Sequence, residues 1–80
     1  MSPDQCRAAR AWLGWTQPEL AEKASVGVAT VKDYERGSRT PMANNLKAMR
    51  AALEAAGVTL LFDGEKAVGL TTGEAGRISG

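Results

Sequence analysis

The stretch Thr16 to Arg36, TQPELAEKASVGVATVKDYER, decides how the chain folds. Thr16 followed three residues later by Glu19 is a capping box, and Pro18 falls in the first turn, where its missing N–H costs nothing. A helix therefore starts here. Leu20 and Ala21 face inward, Ser25-Val26-Gly27 interrupts the run, and a second apolar series resumes at helical spacing through Val28, Val31 and Tyr34. The result is two short helices joined by a tight turn. Ala21 is small enough for the second helix to cross close over the first, and Val26 plugs the corner.

Two helices in this arrangement make a helix-turn-helix pattern, and the extended stretch TQPELAEKASVGVATVKDYERGSRTP resembles the XRE family of the phage repressor and Cro type. That family includes restriction-system controller proteins, small autoregulatory repressors and small antitoxins. The resemblance rests on TQ opening the first motif helix, LAEK along it, Val26 in the turn, and ERG followed by a basic residue and Pro41, and it spans roughly Arg7 to Gly57. Two positions depart from the pattern. Ser25 stands where the family usually has Gly, and Gly27 where it has a Ser or Thr cap, so the turn is expected to be strained and the second helix weakly capped. The resemblance implies a mainly α, four-helix domain of phage-repressor type over residues 3–57. Beyond it, where the family commonly ends in helix, the residues read as a C-terminal β-hairpin over 58–70 that dimerises and a flexible tail over 71–80.

On either side of the motif the sequence supplies the remaining elements. Ser2-Pro3-Asp4-Gln5 is a second N-terminal signature, starting a helix that runs to about Leu13 with Cys6, Ala9 and Leu13 on one face, and Gly14 ends it. Trp12 and Trp15 read as packing residues and Cys6 as core. Beyond Gly37, which closes the motif's second helix, Pro41 prevents an early restart, and a long amphipathic helix from Met42 to Ala56 repeats Leu46, Met49, Leu53 and Ala56 on one stripe. Met42 and Met49 are expected to fill core gaps. Asn44 and Asn45 lie in its first turn, suited to capping or to phosphates. After Gly57 the period changes: Val58 to Phe62 and Lys66 to Leu70 read as strands joined by Asp63-Gly64-Glu65.

Composition narrows the function. Eighty residues allow one small domain, near the lower limit for a core without disulfides or metal, so a dimer is expected. The single cysteine forms no internal disulfide, and the absence of histidine removes the usual zinc ligand and general base. No metal, cofactor or catalytic constellation is expected, and the chain is read as no enzyme. It lacks any apolar run long enough for a membrane span and any secretory pattern, so a cytoplasmic, nucleoid-associated protein of a bacterium or phage is expected. Net charge is +1, unevenly spread: zero over residues 1–27, +3 over 28–50 and −2 over 51–80. The basic excess sits on the motif's second helix and on the loop and helix after it. A solvated helix face would give the same count, so charge alone does not decide the matter.

The resemblance places the helix from Val28 to Arg36 in the DNA major groove. Its N-terminal positions would meet base edges: Val28 and Ala29 through thymine methyl groups, Asp33 by accepting from a cytosine amino group, and Lys32 at guanine or phosphate. Gln17, Thr30 and Arg36 suit phosphates, as do Ser38, Arg39 and Thr40 in the loop. So apolar a reading edge leans on DNA shape as well. Arg10 and Glu35 match a structural ion pair frequent in the family. Val58, Leu60, Leu61, Phe62 and Val68 are the expected dimerisation residues, because an isolated hairpin with apolar side chains on both faces needs a cover. The implied partners are double-stranded DNA carrying an inverted repeat and a second copy of the chain, with RNA polymerase or another protein as further candidates and no membrane. The alternative reading is an antitoxin or protein-interaction subunit whose hairpin binds a partner protein.

Overall fold

The computed structural model describes residues 1–63 and 66–72, and within them the elements run α1 (Pro3–Leu13), α2 (Gln17–Ala24), α3 (Val28–Glu35), α4 (Ala43–Ala55), β1 (Thr59–Asp63) and β2 (Lys66–Thr71). Both capping boxes form: the Ser2 and Thr16 hydroxyls accept from the Gln5 and Glu19 backbone N–H groups, and those two side chains reach back to the cap N–H. The start of α3 differs. Gly27 offers no side chain to cap it, and Met42 likewise leaves the start of α4 without a side-chain cap.

All four helices end in the same backbone wrap, in which a residue in the left-handed region lets the next N–H reach the carbonyl five residues back. Val26 N–H bonds Ala21 O at 2.9 Å, Ser38 N–H bonds Asp33 O at 3.0 Å, and Val58 N–H bonds Leu53 O at 3.2 Å. The residue closing α2 is Ser25, the one described non-glycine with positive φ, at 58°. The strain expected from the sequence is thus real. The Cβ of an L-residue crowds the following carbonyl there, at a cost of roughly 1–2 kcal/mol.

α2 packs on α3 and α4, while the hairpin rests on α1 through β2 and on α4 through β1. Their shared core is Cys6, Ala9, Leu20, Ala21, Ala24, Val31, Tyr34, Met49, Leu53, Val58 and Leu60. Met42 lies outside it. The sequence reading made this residue a core filler, but it is 75% exposed, because the buried stripe of α4 starts one turn later and Met42 precedes the first helical residue.

The antiparallel hairpin pairs Leu60 with Leu70 and Leu61 with Gly69, and its register shifts at Leu61/Phe62. Leu60 is buried, Leu70 packs against the core, and Leu61 lies on the opposite face. The expected dimerisation set therefore divides. Val58, just before β1, and Leu60 are already buried within the protomer, since alternation turns Leu60 to the face of β1 that packs on α4, whereas Leu61 is 40% exposed. The side chains of Phe62 and Val68 lie outside the described residues. β2 extends to Thr71, which the sequence reading gave to the tail. Gly64 and Glu65 of the turn, and the tail from residue 73, lie outside the described residues.

Candidate nucleic-acid interface

α3 is fixed by one face. Val31, Tyr34 and Glu35, at i, i+3 and i+4, are buried, which turns Val28, Ala29, Lys32 and Arg36 outward and leaves Thr30 and Asp33 half-buried. The carboxylate of Glu35 is the hub of this attachment. Arg10 Nε and Nη2 donate to its two oxygens at 2.9 Å each, Gln17 Nε2 donates at 3.0 Å, and Cys6 Sγ donates at 3.3 Å. One carboxylate therefore ties α3 to both α1 and α2. The third Arg10 nitrogen donates to Trp15 O at 2.9 Å, and Arg7 donates to the Glu35 backbone carbonyl.

Electrostatics follow from this packing. Burial alone would raise the Glu35 carboxyl, but hydrogen bonds from Arg10, Gln17 and Cys6 outweigh it and hold the group below the ordinary carboxylate range. The same hydrogen bond raises Arg10. Burial, reinforced by the Glu35 carboxylate, pushes the Cys6 thiol up to about 12, so it is a proton donor and not a reactive thiolate. Tyr34 is raised by burial to about 12, and its hydroxyl donates to Met1 O at 2.6 Å. With Arg10 20% and Glu35 3% exposed, this is a shielded ion pair.

On the outward face, Arg36 Nη2 lies 2.5 Å from Asp33 Oδ1. Two residues expected to meet DNA separately thus hold one another. The pair is exposed, so opening it costs only about 0–1 kcal/mol. In the loop, Gly37 N–H bonds Tyr34 O, and the Ser38 hydroxyl donates to Asp33 O at 3.2 Å. Ser38, Arg39 and Thr40 are exposed beside the end of α3. Gln17 is placed at the first turn of α2, but its amide is engaged by Glu35, making it a support for α3. Neither Asn44 nor Asn45 caps α4.

Two concavities flank α3. One, of about 280 Å³, lies between α3 and the following loop and includes Ala29, Thr30, Asp33, Arg39 and Met42. The other, of about 340 Å³, is lined by Arg7, Arg10, Gln17, Lys32, Glu35 and Arg36. Sequence reasoning missed Arg7 and Met42. Arg7 stands one turn before Arg10 on α1, a spacing that aims both at the same neighbour; the sequence carries no comparable sign for Met42.

A short helix crossing a second one, locked from behind and presenting a cationic edge, defines a DNA-binding helix-turn-helix domain. A family model described as Helix-turn-helix matches residues 7–59, and the chain belongs to that family, the XRE type that its sequence resembles. The family consists of DNA-binding regulators and is generally non-enzymatic. No curated protein matches the sequence. No helix among the described residues is long and apolar enough to cross a membrane.

Proposed function

We propose that the chain is a sequence-specific transcriptional regulator that binds inverted-repeat operators as a homodimer, with α3 of each copy in the major groove. The observation that carries this is the asymmetry of α3. Its inner face is bolted to α1 and α2 through Glu35, while Val28, Ala29, Lys32 and Arg36 stand in solvent. Such rigidity is what positioning a helix against base edges requires. In this reading Val28, Ala29, Lys32 and Asp33 meet bases, and Thr30, Arg36, Ser38, Arg39 and Thr40 meet the backbone, with Gln17 acting through Glu35. Asp33 and Arg36 exchange their mutual pair for DNA.

The exposed Leu61 and the two outer edges of a two-stranded sheet support the hairpin as the contact between copies. A dyad through the hairpins would set the two α3 helices about 34 Å apart for half-sites one turn of DNA away. Action near the protein's own promoter is implied by the family resemblance. The same exposed Leu61 supports the alternative, in which the hairpin receives a different protein.

Selection of bound duplexes from a random pool tests the reading. An inverted repeat with centres about one turn apart is expected, with affinity falling steeply as salt rises, each phosphate contact adding about 0.9 to the log–log slope. Enrichment of no common sequence would end the proposal. Sedimentation of the pure chain separates the alternatives, since a homodimer covers Leu61 and a monomer leaves it available to a foreign partner.

A further inference from the structure

Three large apolar side chains stand exposed among the described residues: Val28 at 37%, Leu61 at 40% and Met42 at 75%. Leu61 belongs to the hairpin. The other two belong to the same end of the molecule, because Met42 lines the cleft that also includes Ala29, the neighbour of Val28 on α3. A lone exposed apolar residue is ordinary on any surface. Met42 is distinguished by what does not account for it. It fills no core gap, and as the residue before α4 it sits where Ser, Thr, Asp or Asn would supply the hydrogen bond that α4 lacks. Neither packing nor capping explains a methionine here.

Resting on the regulator reading above, we infer that Met42 is a specificity-determining residue, a second apolar reader that joins Val28 and Ala29 in recognising thymine C5-methyl groups across the cleft beside α3. The methyl of thymine is the only apolar group in the major-groove pattern of the four base pairs, so an apolar edge can distinguish that base and no other by contact. An unbranched thioether side chain adapts its shape to such a target at the end of a loop. Arg39 and Asp33 line this cleft, while Lys32 and Arg36 line the concavity on the other flank of α3. These three cations against one carboxylate surround α3 as a whole, which suits a duplex and disfavours an apolar peptide as occupant. The surface then reads methyl groups in two segments, one carried by α3 and one by the loop.

The experiment uses the full chain and a duplex selected from a random pool, resynthesised with deoxyuridine in place of one thymidine at a time. Loss of a buried methyl should weaken binding about fourfold at each contacted position. Met42→Ala should weaken binding to the parent duplex by a similar factor and abolish the effect of deoxyuridine at one position in each half-site, leaving the positions read by Val28 and Ala29 sensitive. Met42→Gln, of similar length but polar, should shift the preferred base at that position when selection is repeated. Because the side chain is exposed, both variants should melt as the parent does. Parent-like affinity and an unchanged deoxyuridine profile in both variants would overturn the inference while leaving the regulator reading intact. A parent chain that selects no sequence would overturn both.

Discussion

The helix-turn-helix body and the hairpin are each held by a polar side chain from α1, and the two attachments differ in kind. In the body, Arg10 and Glu35 are charged, and the carboxylate gathers four hydrogen bonds from three residues. At the hairpin the attachment is neutral. The buried amide of Gln5 donates to Leu61 O at 2.8 Å and Gly69 O at 2.5 Å, at the point where the strand register shifts, and its oxygen accepts from Ser2 N–H at 3.0 Å. A charged hub is rigid but intolerant of losing one partner, because the other is left without water. A neutral clamp loses less. The part that presents α3 thus carries the costlier attachment.

Removing one side of the ion pair should have the largest effect. Arg10→Ala leaves Glu35 buried with only Gln17 and Cys6 as donors and should cost roughly 3–5 kcal/mol. For a domain this small, that is a large part of the total stability. Chemical denaturation should register it as a much lower midpoint, and an unchanged midpoint would show that the pair is superficial. Gln5→Ala should cost about 1–3 kcal/mol, since the Leu61 and Gly69 carbonyls lose the donor that ties them to α1. Amide exchange would locate the damage: the strands should open before the helices, and uniform loosening of the whole chain would contradict the division drawn here.

Acid and base probe the body from opposite sides. Glu35 lies below its ordinary value when folded, so its contribution is present above the unfolded carboxylate value of about 4.3 and is lost as pH falls through the folded value. Cys6 and Tyr34 have folded values of about 12, above their unfolded values of about 8.5 and 10. Their contribution is present below the unfolded values and is lost as pH rises toward 12. Thermal melts should show a plateau between about pH 5 and 8 with a decline on each side. Cys6→Ser keeps a donor to Glu35 but does not ionise in this range, so it should flatten the early alkaline limb; a limb unchanged from pH 8.5 to 10 would remove Cys6 from the explanation.

The smallest effect lies in the motif's turn. Ser25→Gly releases the left-handed strain of roughly 1–2 kcal/mol but adds about 0.5–1 kcal/mol of chain entropy to be lost on folding, so a gain of about 0.5–1 kcal/mol is expected. Gly27→Ser restores a cap at a site whose Cβ meets nothing closer than Thr30 Oγ1 at 3.9 Å, and should add a few tenths of a kcal/mol. If the double variant melts no higher than the parent, neither departure from the family pattern carries a cost.

What was legible in the sequence is local. The two capping boxes, the interruption at Ser25, the glycines that close helices and the stripe of α4 are short-range patterns whose energetics involve residues within about one turn, and each appears where the pattern places it. Arg10 and Glu35 were found by resemblance, because nothing in either neighbourhood shows that residues 25 positions apart will meet. Gln5 was read only as the back half of a capping box, and its second role depends on strands more than 50 residues away. The burial of Leu60 against the exposure of Leu61 was open for a related reason: alternation reveals that the faces differ, whereas the packing of β1 on α4 decides which turns inward. Met42 fails as a core filler because side-chain type alone does not place a methionine: it precedes the first residue of α4, outside the stripe that begins at Leu46.

The bond from Tyr34 to Met1 O has a practical consequence for anyone handling this protein. The leading residue is threaded against the helix proposed to enter DNA, and a shallow hollow beside it is shared with Gly37, Arg39 and Thr40. An affinity handle fused ahead of Met1 would emerge beside that loop and crowd an incoming phosphate backbone. Assays of such a fusion would understate affinity, so a cleavable handle, removed before measurement, is the sounder choice.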